Sequence, residues 1–95
     1  MIVNRRTFIA KKAKLGKVVE LLQEAVEMMD CPGATRIYAS QFGPFDTVAF
    51  ELEFKDWEQY HAFWKRLGAG DAAWWEQWFA NTETGGANEM WRLAE

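Results

Sequence analysis

His61 is the side chain of this sequence best suited to acid–base or ligand chemistry, and it is the only histidine. Histidine side chains serve in proteins as general bases and as metal ligands, so His61 could act as a general base or as an axial ligand of haem. Trp57 and Trp64 share its helical stripe, and the favoured interpretation is a hydrogen-bonded histidine at the edge of the core. One histidine and one cysteine cannot supply the four ligands of a structural zinc site, so no metal is predicted.

Charged and hydroxyl side chains alternate with apolar ones in the stretch from residue 35 to residue 54, TRIYASQFGPFDTVAFELEF. Arg36 could bind an anionic group and Tyr38 could donate a hydrogen bond to it, which would make a polar pocket. Alternatively, these charges pair with one another across an interface between two copies of the chain, because buried charges need partners. The second interpretation is favoured, and it gives the dimer-interface candidates Arg36, Glu51, Glu53 and Arg92.

Aromatic residues are frequent, with six tryptophans and seven phenylalanines in 95 residues. Such rings need burial, and a lone domain of this length has a limited interior, so the composition indicates a partner subunit. Tryptophans on the predicted helices could also line a cavity for a flat aromatic ligand. A row of aromatic residues along a helix more often packs in the core or against another subunit. The tryptophans concerned are Trp57, Trp64, Trp74, Trp75 and Trp78.

Length, charge and cysteine content exclude several classes of protein. A chain of 95 residues forms one domain, taken as residues 1–95. The net charge of −3 and the scattered basic residues do not make the dense positive patch of a nucleic-acid-binding surface. No apolar run approaches the roughly 18 residues of a membrane span, and no signal-peptide pattern follows Met1, so a cytoplasmic location is expected. The single Cys31 excludes an intramolecular disulfide.

Helical periodicity predicts the elements that would position the aromatic residues. Residues 15–29 repeat apolar side chains at positions i, i+3, i+4 and i+7, as an amphipathic helix does. A second helix opens at Asp56, whose spacing to Gln59 resembles a capping box. Residues 68–70, Gly-Ala-Gly, form a break, and a further helical segment is predicted over residues 72–80.

Alternating patterns predict four strands, the first over residues 2–10, two in a hairpin within residues 35–54 and the last over residues 89–94. The order β-α-β-β-α-β predicts an α+β, ferredoxin-like fold with a four-stranded antiparallel sheet. Right-handed crossovers place the first and third strands in the middle and both helices on one face. The other face is therefore predicted to pack against an identical copy of the chain.

The hairpin is predicted to turn at residues 43–46, Gly-Pro-Phe-Asp. Arg36 then lies opposite Glu53, and Tyr38 lies opposite Glu51, on one polar face. A slip by one residue would set charged side chains against apolar ones, so the pattern favours this register.

The run RIYASQFGPFDTVAFELEF and the closing NEMWRL resemble small bacterial NIPSNAP-like proteins of the dimeric α/β-barrel superfamily. The helix between them adds to the likeness with Asp56, Trp57, Tyr60, Phe63 and Trp64. The resemblance covers nearly the whole chain. It implies a homodimer in which the open faces of two sheets pack into a barrel, and the family has no established reaction to carry over.

Two enzyme groups of this superfamily suggest what such a protein could do. Haem-degrading monooxygenases place an axial histidine on the second helix and an asparagine on the first strand, and His61 and Asn4 are similar in placement. Those enzymes also carry a tryptophan on the third strand, where this chain has Phe50 and Phe54, so no haem or other cofactor is predicted. Cofactor-free oxygenases hold a polyketide-like substrate in an aromatic cavity. The ligand-pocket candidates are His61, Trp64, Tyr38, Trp57 and Asn4.

Two functions of different class remain open. The chain could be a binding protein or a cofactor-free monooxygenase-type enzyme. Its ligand would then be a small hydrophobic or aromatic molecule, bound between sheet and helices near His61, Trp64 and Tyr38. A filled aromatic interior without a cavity would instead indicate a structural or protein-interaction module. A pocket of about 300 Å³ or more that His61 faces would favour the first function.

Overall fold

A four-stranded antiparallel sheet packs against helices in this protein, which confirms the predicted α+β, ferredoxin-like fold. The computed structural model describes residues 1–67 and 71–94. The predicted break at residues 68–70 lies outside the described residues, and the segment after it is a helix of its own. In chain order the elements are β1 (Ile2–Ile9), α1 (Leu15–Met28), β2 (Thr35–Ala39), β3 (Thr47–Phe54), α2 (Trp57–Leu67), α3 (Ala72–Asn81) and β4 (Ala87–Arg92).

The strand order in the sheet is β2-β3-β1-β4, so the first and third strands lie in the middle as predicted. β1 pairs with β3 along its whole length, from Ile2 opposite Phe54 to Ile9 opposite Thr47. It also pairs with β4, and every pairing is antiparallel. Because side chains alternate along a strand and paired residues share a face, β1 determines which residues of its neighbours face the helices.

The register between β2 and β3 differs by two residues from the predicted one. Arg36 lies opposite Glu51 and not opposite Glu53. The predicted four-residue turn is too short, because the N–H of Ser40 donates to the carbonyl oxygen of Thr47 at 3.0 Å and the loop comprises the six residues between them. A shift by two residues keeps every side chain on its predicted face.

The core lies between the sheet and the helices. Its sheet side is the predicted apolar face of β3, where four side chains are at most 2 % exposed: Val48, Phe50, Leu52 and Phe54. The side chains that α1 buries against it are Val18, Leu21, Leu22 and Ala25. Leu21 lies outside the predicted apolar stripe, and it is buried because α1 contacts α3 as well as the sheet.

Polar side chains fix where α2 and α3 begin. Asp56 Oδ1 accepts the N–H of Gln59 at 2.9 Å, which is the predicted capping contact, and Gln59 Oε1 accepts the N–H of Lys55 at 2.7 Å. Asp71 Oδ1 accepts the N–H of Ala73 at 2.9 Å. These contacts satisfy backbone donors that a helix start leaves free, and they set the positions of the two tryptophan-bearing helices.

Candidate functional site

The helix-facing side of β1 carries two polar residues between apolar ones. In order along the strand, these side chains are Ile2, Asn4, Arg6 and Phe8. Asn4 lies opposite Leu52 and Arg6 lies opposite Phe50, and both partners are buried core residues. An amide and a guanidinium are thereby placed beneath the helices, where polar groups need hydrogen-bond partners.

Asn4 is fully buried, and its hydrogen bonds join β1 to β4. Its amide nitrogen donates to Asn88 Oδ1 at 2.6 Å and to the carbonyl oxygen of Glu89 at 3.1 Å. Its amide oxygen accepts the Nε–H of Arg6 at 3.1 Å. Asn4 is therefore held by β4 and in turn orients the guanidinium of Arg6.

The guanidinium of Arg6 lies over the indole ring of Trp64, with its central carbon 3.7 Å from the ring centroid. Such cation–π stacking favours a fixed position of the guanidinium. Within residues 1–67 and 71–94 no carboxylate forms an ion pair with Arg6. In the same part of the chain, the indole Nε1 of Trp64 is buried and has no hydrogen-bond acceptor. Among the described residues, the stacked pair thus has a cation without a counter-charge and an N–H donor without a partner.

A cavity of about 520 Å³ lies between the sheet and the helices, and Arg6 forms part of its wall. The aromatic part of the wall includes four of the six tryptophans, which are Trp64, Trp74, Trp75 and Trp78. The charged residues at its edge are Asp30, Arg66 and Asp71, all of them exposed, so the cavity opens to solvent there. Its volume falls in the range of roughly 300–1,000 Å³ found for small-molecule sites.

The tryptophans of α3 are held in place by specific contacts. The indole N–H of Trp74 donates to the carbonyl oxygen of Leu21 at 2.9 Å. The rings of Trp74 and Trp78 stack, with their centroids 5.2 Å apart and an angle of 13° between their planes. The ring of Phe8 lies at 89° to the ring of Trp78, with the two centroids 4.7 Å apart. Because these rings are already ordered by the protein, a ligand would meet a preformed wall.

Of the predicted pocket candidates, Trp64 lines the cavity, whereas Asn4 is buried outside it and is joined to Trp64 through Arg6. The predicted grouping with His61, Trp57 and Tyr38 is corrected by the structure. His61 and Trp57 are exposed on α2 and stack on each other with ring centroids 6.3 Å apart, and neither lines the cavity. Tyr38 lies on the other face of the sheet, because it alternates with the helix-facing Ile37 along β2.

His61 and Asn4 therefore do not face one common pocket. His61 contacts the edge of the Tyr60 ring, with centroids 5.2 Å apart, on the solvent side of α2. Asn4 is engaged with β4 and with Arg6. The two residues that are similar in placement to those of haem enzymes do not fit a shared haem site, and the absence of a cofactor stays a prediction.

The charged cluster lies on the face of the sheet that is turned away from the helices, called here the open face. Glu51 accepts hydrogen bonds from Arg5 at 2.6 Å and from the Tyr38 hydroxyl at 3.1 Å, and Arg36 donates to Glu53 at 2.9 Å. The predicted partners thus do meet, as diagonal neighbours instead of directly opposite ones. The hydrogen bond to Glu53 raises the pKa of Arg36, which keeps this guanidinium charged.

Arg92 does not join this cluster, contrary to the prediction. It lies opposite Ile2 at the end of β4, and β4 is at the opposite edge of the sheet from β2. Since Ile2 faces the core, Arg92 lies on the helix-facing side. The apolar and aromatic residues that the open face does carry include Val3, Tyr38, Ala49 and Trp91.

Other chemistry finds little support in the described part of the chain. Burial raises the pKa of the Cys31 thiol, and a less ionised thiol is a weaker nucleophile. Residues 1–67 and 71–94 bring together no group of three or more metal-ligating side chains. Over the same residues, no helix combines the length and the apolar character needed to cross a membrane.

Arg6 was not predicted from the sequence, although the structure places it at the centre of the site. One signal was available: Arg6 alternates with Asn4 and Phe8 on a single face of the first strand. Helices had to cover one face of that central strand, and a charged residue on a covered face requires a partner. A lone arginine at such a position is therefore a candidate ligand-binding residue.

Several solved structures share this fold. An uncharacterized NIPSNAP domain protein from Burkholderia xenovorans has a TM-score of 0.76 and 18 % identity, with 99 % of this chain and 95 % of that chain covered. A NIPSNAP family protein from Agrobacterium tumefaciens has a TM-score of 0.80 and 15 % identity, with 99 % and 93 % covered. A structure named antibiotic biosynthesis monooxygenase has a TM-score of 0.73 and 17 % identity over 100 % of both chains.

No family model and no curated protein matches the sequence. At such low identities, likeness to solved structures establishes a common fold and leaves activity open. The resemblance to NIPSNAP-like proteins is confirmed at the level of the fold.

Proposed function

We propose that this protein is NIPSNAP-like and binds a small aromatic molecule in the cavity between its sheet and its helices. The observation that carries the proposal is a preformed cavity of about 520 Å³ in which aromatic walls meet the guanidinium of Arg6. Small-molecule sites combine mostly apolar walls with a few fixed polar groups. A filled interior would have favoured a structural module, and the cavity favours a ligand.

The functional unit is proposed to be a homodimer formed through the open face. Two of the aromatic residues on this face are half exposed in the single chain, Tyr38 at 44 % and Trp91 at 57 %. Four of the charges on this face are already paired within the chain, Arg5 with Glu51 and Arg36 with Glu53, which lowers the cost of covering them. Glu89, opposite Arg5 on β4, has no ion pair among the described residues, so a second copy would have to supply its partner or leave it at the rim. A second copy would give the sheet the cover that its helices provide on only one side.

The proposed activity is a cofactor-free, monooxygenase-type oxidation in which the bound aromatic molecule is its own reductant. It would receive one oxygen atom of O₂ and supply the two electrons and two protons that release the other atom as water. One structure of this fold is named antibiotic biosynthesis monooxygenase, and an aromatic cavity keeps water away from a bound ring. Oxygen uptake with a bound aromatic compound and no added cofactor tests the reaction. Uptake that depends on the cavity would support it, and binding without uptake would leave a binding protein.

A protein-interaction module is the alternative, and one observation favours it. Phe42 and Phe45 in the loop between β2 and β3 are 97 % and 92 % exposed. Exposed aromatic side chains are frequent at contacts between proteins. Replacing both with serine would abolish such a contact and would leave binding in the cavity unchanged.

Calorimetric titration with 2-naphthamide, a neutral bicyclic aromatic compound, tests the binding function. The variant Ala25→Leu extends a buried side chain of the cavity wall into the cavity and should weaken binding about tenfold or more. The matched control, Ala62→Leu, adds the same atoms at an exposed position of α2 outside the cavity and should bind as the wild type does. Equal affinity of both variants would contradict the proposal, and so would a wild type that binds neither this compound nor its carboxylate analogue 2-naphthoate.

A further inference from the structure

We infer that the ligand of this cavity carries a single anionic oxygen group, such as a carboxylate, and that Arg6 binds it. The inference rests on the proposed function, since it concerns the ligand of the same cavity. It adds the charge of the ligand and the side chain that recognises it.

Arg6 is held in place, yet its charge is not neutralised. Its Nε–H is bonded to Asn4 Oδ1 at 3.1 Å, and one face of the guanidinium lies on the ring of Trp64. Within the described residues neither terminal nitrogen forms an ion pair. The two terminal NH₂ groups have the fork geometry that matches a carboxylate, and the fixed position lowers the entropy lost on binding.

Two arginines on the open face differ from Arg6, because each of them forms an ion pair within the chain. Arg5 meets Glu51 at 2.6 Å, and Arg36 meets Glu53 at 2.9 Å. Arg6 is adjacent to Arg5 in sequence but points to the other face of the sheet, into an apolar and aromatic environment. A partly buried guanidinium in such a place favours a counter-ion, and the cavity is where one could enter.

Trp64 contributes a wall and a seat for the guanidinium. Its ring lines the cavity and lies against Arg6. Its Nε1–H has no acceptor among residues 1–67 and 71–94, but this nitrogen is closed off from solvent and therefore does not face the open cavity. The terminal nitrogens of Arg6 are therefore the donors proposed to bind ligand oxygen.

The edge of the cavity argues for one negative charge instead of two or more. The charged residues of the lining are two cations and two anions, Arg6, Arg66, Asp30 and Asp71, so the wall has no excess positive charge to offer a multiply charged anion such as a phosphate monoester. A terminal nitrogen of Arg66 donates to the backbone carbonyl oxygen of Asp30 at 2.7 Å, so Arg66 is kept at the edge. The charges thus fit an aromatic monocarboxylate, with its ring among the tryptophans and its carboxylate at Arg6.

Calorimetric titration with two ligands of the same shape tests the inference. Wild-type protein should bind 2-naphthoate about tenfold more tightly than the neutral 2-naphthamide, because a hydrogen-bonded ion pair replaces neutral contacts. Arg6→Gln should remove this preference, so that the two compounds bind to this variant within about twofold of each other. Arg6→Lys, which keeps the charge and loses the fork, should retain part of the preference. Arg92→Gln, at an exposed arginine of β4 outside the cavity, is the matched control and should retain all of it.

The outcomes separate this inference from the proposed function. If wild-type protein binds both compounds equally, the cavity binds aromatic molecules and the inferred role of Arg6 is wrong. A preference for 2-naphthoate that survives in Arg6→Gln also contradicts it. If neither compound binds, both the proposed function and the inference fail. The wild-type comparison needs no variant, so it stands even where Arg6→Gln does not fold.

Discussion

Trp64 and Trp74 differ in one respect that affects stability directly. The indole N–H of Trp74 donates to the carbonyl oxygen of Leu21, whereas that of Trp64 has no acceptor in the described part of the chain. Both rings line the cavity, and each also stacks on a neighbour, Trp64 on the guanidinium of Arg6 and Trp74 on the ring of Trp78. Phenylalanine keeps a ring for each of these contacts, so the lost hydrogen bond is the main difference between the two variants.

Trp74→Phe should lower the free energy of unfolding by about 1 kcal/mol more than Trp64→Phe does, because only the first variant loses a hydrogen bond. Urea unfolding followed by circular dichroism measures both values. Equal losses, or a larger loss for Trp64→Phe, would show that Trp64 has a partner in solution. Each variant is the control for the other.

At the same scale, the sequence could predict Asn4 and Trp64 and could not predict what joins them. Helical spacing placed Trp64 on an aromatic stripe, and strand alternation placed Asn4 on one face of β1. The stacking of Arg6 on Trp64 depends on how α2 crosses β1. That crossing arises from the packing of the whole core, which periodicity along the chain does not encode.

The hairpin of β2 and β3 shows how far an alternating pattern determines an element. Its period of two assigns each residue to a face, and the buried face was predicted with Val48, Phe50, Leu52 and Phe54. The same pattern is unchanged by a shift of two residues, so it could not fix the loop length. Ser40 Oγ donates to the carbonyl oxygen of Phe42 inside the loop, a side-chain contact that helps a six-residue connection form.

The connection from α3 to β4 offers a test at the level of the element. Gly86 has φ of +96°, and a Cβ there would collide with the carbonyl oxygen of Thr7 in β1. Gly86→Ala should therefore destabilise the protein by about 2 kcal/mol or more, through a strained backbone and a displaced strand. Thermal unfolding followed by circular dichroism measures the loss.

Gly16 in α1 is the matched control, since a Cβ there meets nothing within 4 Å. Gly16→Ala should leave stability unchanged or raise it by up to about 1 kcal/mol, because alanine favours a helix. If Gly86→Ala proved as stable as Gly16→Ala, residue 86 would not lie as close to Thr7 of β1 as the structure places it. The antiparallel pairing that positions Asn4 against Asn88 would then be in doubt as well.

At the scale of the whole molecule, the two faces of the sheet have different roles. The helix-facing side holds the core and the cavity, and the open face carries paired charges and half-exposed aromatic rings. This division was predictable, because the predicted helices form a single layer, and a single layer covers only one face of a sheet. The cavity itself was not predictable, since its volume depends on how α3 packs beside α1, and no pattern in the sequence sets that distance.

The proposed homodimer gives a prediction at this scale. Ala49 lies on β3 within the open face, so Ala49→Arg would place an unpaired charge in the middle of the interface. Multi-angle light scattering should then report a single chain of 11.0 kDa, where the wild type gives twice that mass. Gln23→Arg adds the same charge on an exposed part of α1 and should remain dimeric. A monomeric wild type would refute the dimer and leave the cavity proposal untouched.

The central claim, that the cavity between sheet and helices is the ligand site, is tested most directly by NMR of the six indole N–H groups during titration with 2-naphthoate. Replacement of each tryptophan by phenylalanine assigns its signal. The account predicts that the signals of the cavity tryptophans move together with one affinity, namely those of Trp64, Trp74, Trp75 and Trp78. It also predicts that Trp57 and Trp91, which lie outside the cavity, stay in place. Shifts confined to Trp57 or Trp91, with the four cavity signals unmoved, would contradict it.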